Sequence, residues 1–270
     1  MIHSTAIVHE AAQLGEKVEV GPYAVIEGAA RIGDGCIIQA HAIVAGAVVM
    51  GRENVIGYGA VIGGEPQDFA FQPSVRSEVR IGDRNRIREH CTIHRGTNEG
   101  SATVLGDDCF LMAGAHLGHN ARVGSGVILA NNVLLGGHVE IADGVFVGGG
   151  SAFHQHMRVG RLAICQGLSG FSKFIPPFVT AAQVNGVAGL NVVGMRRAGF
   201  SAEQRREVKA AFDLLYRGGL NVSQALAAAG ERTWGDEGRE FWAFVAGAKK
   251  KGICDFIPLR SGRPAGATDE

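Results

Sequence analysis

The feature that most constrains the fold of this chain is an aliphatic residue at every sixth position between Ile2 and about Pro177. A small or β-branched residue follows most of these positions by four, so each hexad holds a short strand with two inward side chains. The residues between strands are rich in Gly, Asp, Asn and His and predict turns. The repeat runs through Ile2, Val8, Leu14, Val20, Ile26, Ile32, Ile38, Val44, Met50, Ile56 and Ile62, and then through Ile81, Ile87, Ile93, Leu105, Leu111, Leu117, Val123, Leu129, Leu135, Ile141, Val147, Phe153 and Val159.

Hexapeptide repeats of this kind are typical of a parallel β-helix. Three hexads make one triangular coil, and successive coils stack at the inter-strand spacing of ~4.8 Å. The spacing does not determine the hand of the helix. Resemblance to the commonest hexapeptide solenoids implies the left-handed form, which breaks the usual right-handed crossover rule. The predicted fold class is therefore an all-β left-handed parallel β-helix, followed by a small α-helical C-terminal domain.

The repeat is clearly interrupted once, at about residues 65–80. Before the interruption, the residue numbers of the aliphatic positions leave a remainder of two when divided by six; from Ile81 onward they leave a remainder of three. The repeat therefore resumes one residue out of phase. A loop that leaves a rigid prism is a candidate functional element, although a tolerated insertion is the alternative. A second irregularity, Glu99 to Val104, keeps the count but puts Glu99 where an aliphatic residue belongs. It is either a poor hexad or a second, smaller loop.

The pattern becomes helical after Pro176 and Pro177, and Ser201 with Gln204 fits a capping box. We therefore expect a β-helix domain over 1–190 and a helical domain over 191–270. The three lysines from Lys249 to Lys251 fit the C-terminus of a helix. The expected helices run from Ser201 to about Gly218 and Gly219, from about Ser223 to Ala229, and from about Glu237 to Lys250.

Bulk composition excludes several classes of protein. The net charge is zero, which argues against a general nucleic-acid binder. The N-terminus lacks a basic segment followed by an apolar one, and no apolar run approaches the ~20 residues of a membrane span, so we expect a cytoplasmic protein that does not span a membrane. Five cysteines without a CxxC pair argue against a disulfide framework or a cysteine-rich zinc site. Cys91 and Cys109 lie eighteen residues apart and are expected to stack in the core.

Seven of the ten histidines lie between His90 and His156. Four of them fall in hexads that begin at Leu117, Leu135 and Phe153, which the coil length places at one corner of three successive coils. A corner position points outward, which counts against simple core packing. The four histidines are His119, His138, His154 and His156, and Asn120, His138 and His156 are themselves in register.

Two chemistries could use such a column. Neutral imidazoles could bind zinc, as three histidines do across a subunit interface in the γ-class carbonic anhydrases, which share this solenoid. Alternatively, one imidazole could act as general base on a substrate hydroxyl while its neighbours bind and orient the substrate. Periodicity leaves both open.

The chain also resembles the acyl-ACP:UDP-N-acetylglucosamine O-acyltransferases, the first enzymes of lipid A synthesis. The most specific part of the resemblance is the run Arg84-Asn85-Arg86-Ile87-Arg88-Glu89 followed by His94-Arg95-Gly96-Thr97. Further matches are Gln67-Asp68, Ala115-His116, His119, Ile128-Leu129-Ala130-Asn131-Asn132, Gly137-His138-Val139, His154-Gln155, Pro176-Pro177, Asn191 and Arg196-Arg197.

The resemblance implies a general-base mechanism. His119 would deprotonate the 3-hydroxyl of UDP-N-acetylglucosamine, and that oxygen would attack the thioester of a 3-hydroxyacyl chain on acyl carrier protein. The backbone N–H of Gly137 would stabilise the oxyanion. Gly167 would be the acyl-chain ruler, and no cofactor or metal would be needed. The other substrate-binding residues implied are Gln67, Asp68, His116, Asn120, His138, His154 and Gln155, with Asn191 and Arg197 at the UDP.

Family members are homotrimers with sites between subunits, so the resemblance implies that the loop and the histidine column of one site come from different chains. Transfer to the 3-amino analogue of the sugar nucleotide stays an alternative, as do a related N-acyltransferase and a zinc enzyme. The chain departs from the family at four positions: Asn120 replaces an Asp, Ala70 a Lys for which Arg76 could substitute, Val193 an acid and Ala198 an Arg.

Overall fold

The computed structural model describes residues 1–248 and 251–257. Its first part is a left-handed parallel β-helix, which is the predicted fold class. In chain order the strands are β1 (Ile7–Val8), β2 (Gln13–Leu14), β3 (Glu19–Val20), β4 (Val25–Ile26), β5 (Arg31–Ile32), β6 (Ile37–Ile38), β7 (Ile43–Val44), β8 (Val48–Met50), β9 (Val55–Ile56), β10 (Val61–Gly64), β11 (Glu78–Ile81), β12 (Arg86–Ile87), β13 (Thr92–His94), β14 (Ala102–Leu105), β15 (Phe110–Leu111), β16 (His116–Leu117), β17 (Arg122–Val123), β18 (Ile128–Leu129), β19 (Leu134–Leu135), β20 (Glu140–Ile141), β21 (Phe146–Val147), β22 (Ala152–Phe153), β23 (Arg158–Val159), β24 (Ile164–Cys165), β25 (Gly170–Phe171), β26 (Val179–Ala182) and β27 (Gly186–Leu190).

Along most of the β-helix, each strand pairs in parallel with the third strand after it. The three sheets that result are the faces of a triangular prism. Face 1 runs from β1 to β25, face 2 from β2 to β23, and face 3 from β3 to β26, with β27 antiparallel at its end. Leu117 pairs with Leu135 and Leu135 with Phe153, each eighteen residues on, as the hexad predicted.

The aliphatic positions of the hexad form one continuous core. Ile26, Ile62 and Leu117 have no exposed surface, whereas Ile2, in the first coil, is 52% exposed. Each fully buried Leu, Ile or Val contributes roughly 1.5–3 kcal/mol. The repeat thus buries a row of side chains that no single coil could bury alone.

Two loops leave the prism, and both leave it at the corner between faces 1 and 2. Val79 pairs with Val48, thirty-one residues earlier instead of eighteen, so the first loop, over 65–77, adds thirteen residues. Thr103 pairs with Val79, twenty-four residues earlier, so the segment over 95–101 adds six. The segment around Glu99 is therefore a second loop and not a poor hexad.

The second loop also overturns the predicted stacking of Cys91 on Cys109. Because Thr92 pairs with His116, Cys91 lies beside Ala115 on face 1, while Cys109 precedes β15 on face 3. Where a loop lies between two coils, residues eighteen apart in sequence no longer occupy equivalent positions of successive coils. All five cysteines are nevertheless buried and free.

Four helices follow the β-helix: α1 (Val192–Arg197), α2 (Ala202–Tyr216), α3 (Val222–Gly230) and α4 (Asp236–Ala246). The predicted capping box of Ser201 and Gln204 is present at α2. Two expectations were wrong in detail: the sequence pattern missed α1, and α4 ends at Ala246 instead of continuing to Lys250. Lys249 and Lys250 lie outside the described residues.

The chain then returns to the β-helix, where β28 (Asp255–Phe256) pairs with β27. The run of strands before the helices ends at Leu190, and the polypeptide after the helices adds one more strand to the same sheet. Within 1–248 and 251–257, no helix is both long and apolar enough to cross a membrane.

Candidate active site

The corner between faces 1 and 2 carries the histidines that the hexad placed there. The His119 ring contacts His138 edge-on with 5.2 Å between ring centroids, and His138 stacks on His156 at 4.5 Å. Asn120, His138 and His156 share the left-handed backbone conformation, with φ of 59°, 58° and 61°. Asn and His are among the residues that tolerate this conformation best. The local turn geometry thus presents the same position of each coil at the corner.

Sequence reasoning missed one member of this cluster, His94. Its ring contacts that of His116 edge-on with 4.7 Å between ring centroids, and it is buried. His94 follows Ile93 as His154 follows Phe153, so its place in the hexad was a usable signal. The six residues added by the second loop separate His94 from His116 by more than one regular coil and hide the register.

Burial disfavours the charged form of three histidines in the cluster. It lowers the pKa of His94 to about 4, with further contributions from His116 and His119. Burial also lowers the pKa of His116 and that of His138, and neighbouring histidines act in the same direction. Neutral imidazoles can accept a proton, which is the property that a general base needs.

His119 lies against Gly137 on the next coil. A Cβ at residue 137 would lie 2.4 Å from His119 Nε2, so the ring can take its place only because residue 137 has no side chain. Gly137 is buried beneath the ring, and within the described part of the chain its N–H donates no hydrogen bond. A buried N–H without a partner is costly unless a ligand uses it. The pair brings a proton acceptor and a free backbone donor together.

The residues of the motif Thr92 to Thr97 organise this corner. Thr92 Oγ1 lies 2.7 Å from His116 Nδ1. Arg95 lies over the ring of Phe71 at 4.8 Å and donates to the carbonyl of Val75 at 2.6 Å, which anchors the first loop. Thr97 binds Asn120 through its N–H and its hydroxyl. The residues from Thr92 to Thr97 therefore make contacts that fix both loops to the corner.

At the far end of the column, Lys251 lies beside His154 and Gln155. Its Nζ is 3.2 Å from His154 Nδ1 and donates to the Gln155 carbonyl at 2.7 Å. All three residues are at least partly exposed. The sequence pattern assigned Lys251 to a helix terminus, but the returning segment after α4 brings its charge to the histidine column.

Gln67 and Asp68 lie in the first loop and are exposed. Asp68 accepts a hydrogen bond from Ala70 N at 2.9 Å, and Phe69 projects fully into solvent. Among the described residues, no hydrogen bond joins Gln67 or Asp68 to the histidine column. One chain therefore leaves this part of the loop free at the surface.

Three other predicted site residues lie away from the column in a single chain. Gly167 is at the corner between faces 3 and 1, where an added Cβ would lie 3.0 Å from the Gly149 carbonyl. Asn191 is buried; it caps α1 by accepting from Gly194 N and donates to the Leu162 carbonyl. Arg197 is exposed at the end of α1. In a single chain these three residues therefore do not join the histidine column.

Ring orientation bears on the zinc alternative. Zinc needs ligand atoms that converge on one point, whereas these imidazoles pack face-on or edge-on against each other. Within residues 1–248 and 251–257, no group of three or more His, Cys, Asp or Glu side chains has an arrangement that could hold a metal ion.

Comparison with known families matches two parts of the chain. Residues 175–254 match the family described as UDP N-acetylglucosamine O-acyltransferase, domain 2. Residues 11–46 and 102–137 match the bacterial transferase hexapeptide family. The hexapeptide match covers β-helix coils, and the other match covers the helical region with the strands beside it.

The chain is also similar to known proteins over most of its length. The chain is 49% identical to an acyl-[acyl-carrier-protein]–UDP-N-acetylglucosamine O-acyltransferase of Paraburkholderia phymatum, over 85% of this chain and 90% of the relative. It is 46% identical to the enzyme of the same name from Paraburkholderia xenovorans, over 93% and 98%. The crystal structure of the UDP-N-acetylglucosamine acyltransferase of Francisella novicida has a TM-score of 0.91 at 32% identity and covers all of both chains.

Proposed function

The chain belongs to the family of acyl-[acyl-carrier-protein]–UDP-N-acetylglucosamine O-acyltransferases, and we propose that it transfers a 3-hydroxyacyl chain from acyl carrier protein to the 3-hydroxyl of UDP-N-acetylglucosamine. This is the first step of lipid A synthesis. The observation that carries the proposal within the site is the pair formed by His119 Nε2 and the N–H of buried Gly137, which donates to no other group among the described residues.

The chemistry of that pair fits acyl transfer. A sugar hydroxyl is a poor nucleophile, and a positioned imidazole typically accelerates such a step by about 10²–10⁴-fold. His119 Nε2 accepts the proton as the oxygen attacks the thioester carbonyl. The carbonyl oxygen becomes negative in the tetrahedral intermediate, and the Gly137 N–H donates to it. The intermediate collapses with loss of the thiolate of the carrier, which takes the proton from the His119 imidazolium and so restores the neutral imidazole.

The sugar nucleotide would lie along the same corner. His116, His138, His154 and Gln155 present ring nitrogens, an amide and carbonyls suited to hydroxyl groups. Lys251 adds an ammonium group at His154, where it could contact a phosphate. Gln67 and Asp68 would bind the donor and sugar from the first loop, while Asn191 and Arg197 would bind the UDP, with Asn191 acting only after its present hydrogen bonds rearrange.

The assembly we propose is a homotrimer with sites between subunits. Face 2 carries charged outward residues such as Arg122, Glu140 and Arg158, but the outward residues of the other two faces are largely apolar. On face 3 they include Phe146, 38% exposed, and on face 1 Leu134, 50% exposed. Contact of face 3 with face 1 of a neighbour would be heterologous, and a heterologous contact repeated by a rotation of 120° closes into a ring of about three copies.

The remaining partners follow from the reaction. The acyl donor is carried by acyl carrier protein, no nucleic acid takes part, and neither cofactor nor metal is required. A cytoplasmic location stays a prediction; the five buried free thiols agree with a reducing compartment.

The test is turnover of purified protein with a ladder of 3-hydroxyacyl carrier proteins against UDP-N-acetylglucosamine and its 3-amino analogue. We expect ester formation with the hydroxyl sugar, unaffected by chelators, and no stoichiometric zinc by metal analysis. A preference for the amino analogue would show that the acceptor is the 3-amino group and not the 3-hydroxyl group of the sugar nucleotide. Zinc at one per subunit, lost together with activity, would overturn the general-base mechanism.

A further inference from the structure

The chain that returns to the prism after α4 reaches the end of the histidine column. We call residues 251–257 the return segment. Its first residue, Lys251, lies at the corner between faces 1 and 2, beside His154 and Gln155. Lys251 Nζ is 3.2 Å from His154 Nδ1 and 2.7 Å from the Gln155 carbonyl oxygen. One ammonium group therefore contacts two acceptors of the column.

The donors left over at this contact can be counted. An ammonium group has three N–H donors and no acceptor, so His154 Nδ1 must accept and the ring proton is on Nε2. The Gln155 carbonyl takes a second N–H, and among residues 1–248 and 251–257 no group takes the third. No carboxylate in the same ranges forms an ion pair with Lys251. A cationic N–H and an imidazole N–H without a counter-charge are donors that suit a phosphate.

The backbone after Lys251 fixes its position. Gly252 has a φ of 69°, a conformation that residues with a side chain rarely adopt, and it turns the chain toward the prism. Its carbonyl accepts from Phe174 N at 3.0 Å, and Cys254 N donates to the Phe174 carbonyl at 2.8 Å. Phe174 lies at the same corner one coil beyond His154, because it stands between β25 on face 1 and the bridge of Ile175 with Val159 on face 2.

The rest of the return segment is held by few contacts. The Tyr216 hydroxyl donates to the carbonyl of buried Cys254 at 3.1 Å, and Lys173 Nζ lies 2.6 Å from Asp255 Oδ2. Its strand β28 has only two residues. A short edge strand of this kind opens at a low free energy, so a ligand that binds only its docked form can stabilise it.

We propose that Lys251 binds a substrate phosphate, and that this contact couples occupancy of the site to docking of the return segment. The inference rests on the proposed function, which supplies two phosphates: the diphosphate of the sugar nucleotide and the phosphodiester of the pantetheine arm of the carrier. His154 and Gln155 are the residues that the family resemblance assigns to the sugar nucleotide, so the position of Lys251 favours the diphosphate.

The coupling acts in both directions. A phosphate that contacts Lys251 and His154 together would join the return segment to the prism and would stabilise the docked segment. By linkage, any change that loosens the segment weakens phosphate binding by the same factor. The end of the chain thereby becomes part of the substrate site, although the pattern of three lysines in the sequence fits a helix terminus.

The first experiment measures binding of UDP, of uridine and of acyl carrier protein bearing its phosphopantetheine arm, for the wild type, Lys251→Met and Lys251→Arg. For Lys251→Met we expect UDP to bind about 10- to 100-fold more weakly and uridine to bind as before, because only the charged contact to phosphate is lost. Lys251→Arg should stay within about threefold of the wild type. The KM for UDP-N-acetylglucosamine should rise by the same factor as the Kd for UDP, with kcat nearly unchanged.

Lys17→Met is the matched control, because Lys17 is an exposed lysine at the corner between faces 2 and 3 and the variant removes the same charge. It should leave all three affinities unchanged. A loss of affinity in Lys251→Met for the carrier protein and not for UDP would assign the phosphate to the donor arm. Wild-type affinity of Lys251→Met for both UDP and the carrier protein would overturn the inference, as would an equal loss for UDP and uridine.

The second experiment measures hydrogen exchange of the return segment. UDP should slow exchange at the amides of Cys254 and Asp255 in the wild type and leave it unchanged in Lys251→Met. Lys173→Met, which breaks the ion pair with Asp255, should weaken UDP binding by about two- to threefold. Equal exchange with and without UDP in the wild type would overturn the coupling. A wild type that binds UDP through Lys251 but shows no turnover with any donor would instead overturn the proposed function alone.

Discussion

The β-helix and the helical region bury their apolar side chains in different ways. Each coil of the β-helix pairs with the coil eighteen residues on and packs small aliphatic side chains inward. The helical region packs large side chains such as Phe212, Phe241 and Trp242 between amphipathic helices. Both tryptophans of the chain lie there. The prism is narrow and admits few rings, whereas helices can enclose them.

The two regions also differ in how their functional residues are held. Along the prism corner, a side chain is positioned by backbone repetition, and a substitution disturbs the adjacent coil. The helical region is joined to the prism by particular contacts, among them a bidentate ion pair of Arg161 and Glu240 with Nη2–Oε2 of 2.7 Å. We therefore expect the largest effects of substitution on activity at the corner and smaller, local effects in the helices.

The largest expected effect is that of His119→Ala. Removal of the base should lower kcat/KM by about two to four orders of magnitude while the fold is retained, because little packing is lost. Steady-state kinetics and circular dichroism test both halves of this statement. A loss of less than about tenfold would exclude His119 as the base.

Gly137→Ala should be nearly as severe. The added methyl group would collide with His119 Nε2 and displace the ring from the free N–H, so kcat should fall by about 10²–10³-fold. The matched control in the helical region is Gly230→Ala, where nothing lies within 4 Å of the added methyl. Equal kinetics for the two variants would show that the close approach at Gly137 does not matter.

The stability of the corner should depend on pH through His94. Its pKa of about 4 lies below the ordinary value of about 6.5, so between these values the unfolded chain binds a proton that the native protein does not. The free energy of unfolding should therefore fall as pH is lowered from 6.5 to 4, by up to about 3 kcal/mol from this residue.

Denaturant titrations at several pH values measure this dependence. His94→Asn should flatten it, and the same substitution at exposed His90 serves as control. A pH dependence equal in His94→Asn and in the wild type would contradict the assignment.

Gly167→Met tests the acyl-chain ruler. Each buried CH₂ is worth roughly 0.8 kcal/mol, so preference should change about fourfold per displaced methylene, toward shorter chains. The readout is kcat/KM across the ladder of acyl donors. Because a Cβ would already lie 3.0 Å from the Gly149 carbonyl, Gly167→Ala is the control for the backbone. An unchanged optimum with uniformly lower rates in both variants would assign Gly167 to the turn.

The smallest effect should be that of Glu240→Gln, which breaks the ion pair with Arg161 between α4 and the prism. The pair is about one-third exposed, at 33% and 35%, so its loss should destabilise the helical region by about 1 kcal/mol. Hydrogen exchange should rise in α4 and stay unchanged in the β-helix. Arg239→Gln, which breaks an intrahelical pair on the same helix, is the control. Faster exchange in the prism as well would mean that the two regions unfold together.

Much of this molecule could be predicted because its determinants are local. The hexad specifies which residues point inward, and the phase change at Ile81 revealed the first loop. The capping box of Ser201 and Gln204 marked the start of α2 correctly. The short α1 escaped because six residues give little periodicity and its capping Asn191 was assigned to the nucleotide.

What sequence periodicity determined by itself is the coil: its length, its core and the corner at which His119, His138 and His156 line up. This repeat can be recognised in the sequence because every hexad buries the same two positions against the neighbouring coils. Tertiary structure alone decided which coils become neighbours across an insertion. It placed His94 against His116, separated Cys91 from Cys109, and brought Thr97 to Asn120 and Lys251 to His154. These contacts join residues whose separation in sequence is set by loop lengths and by the chain's return, and no local pattern encodes that distance.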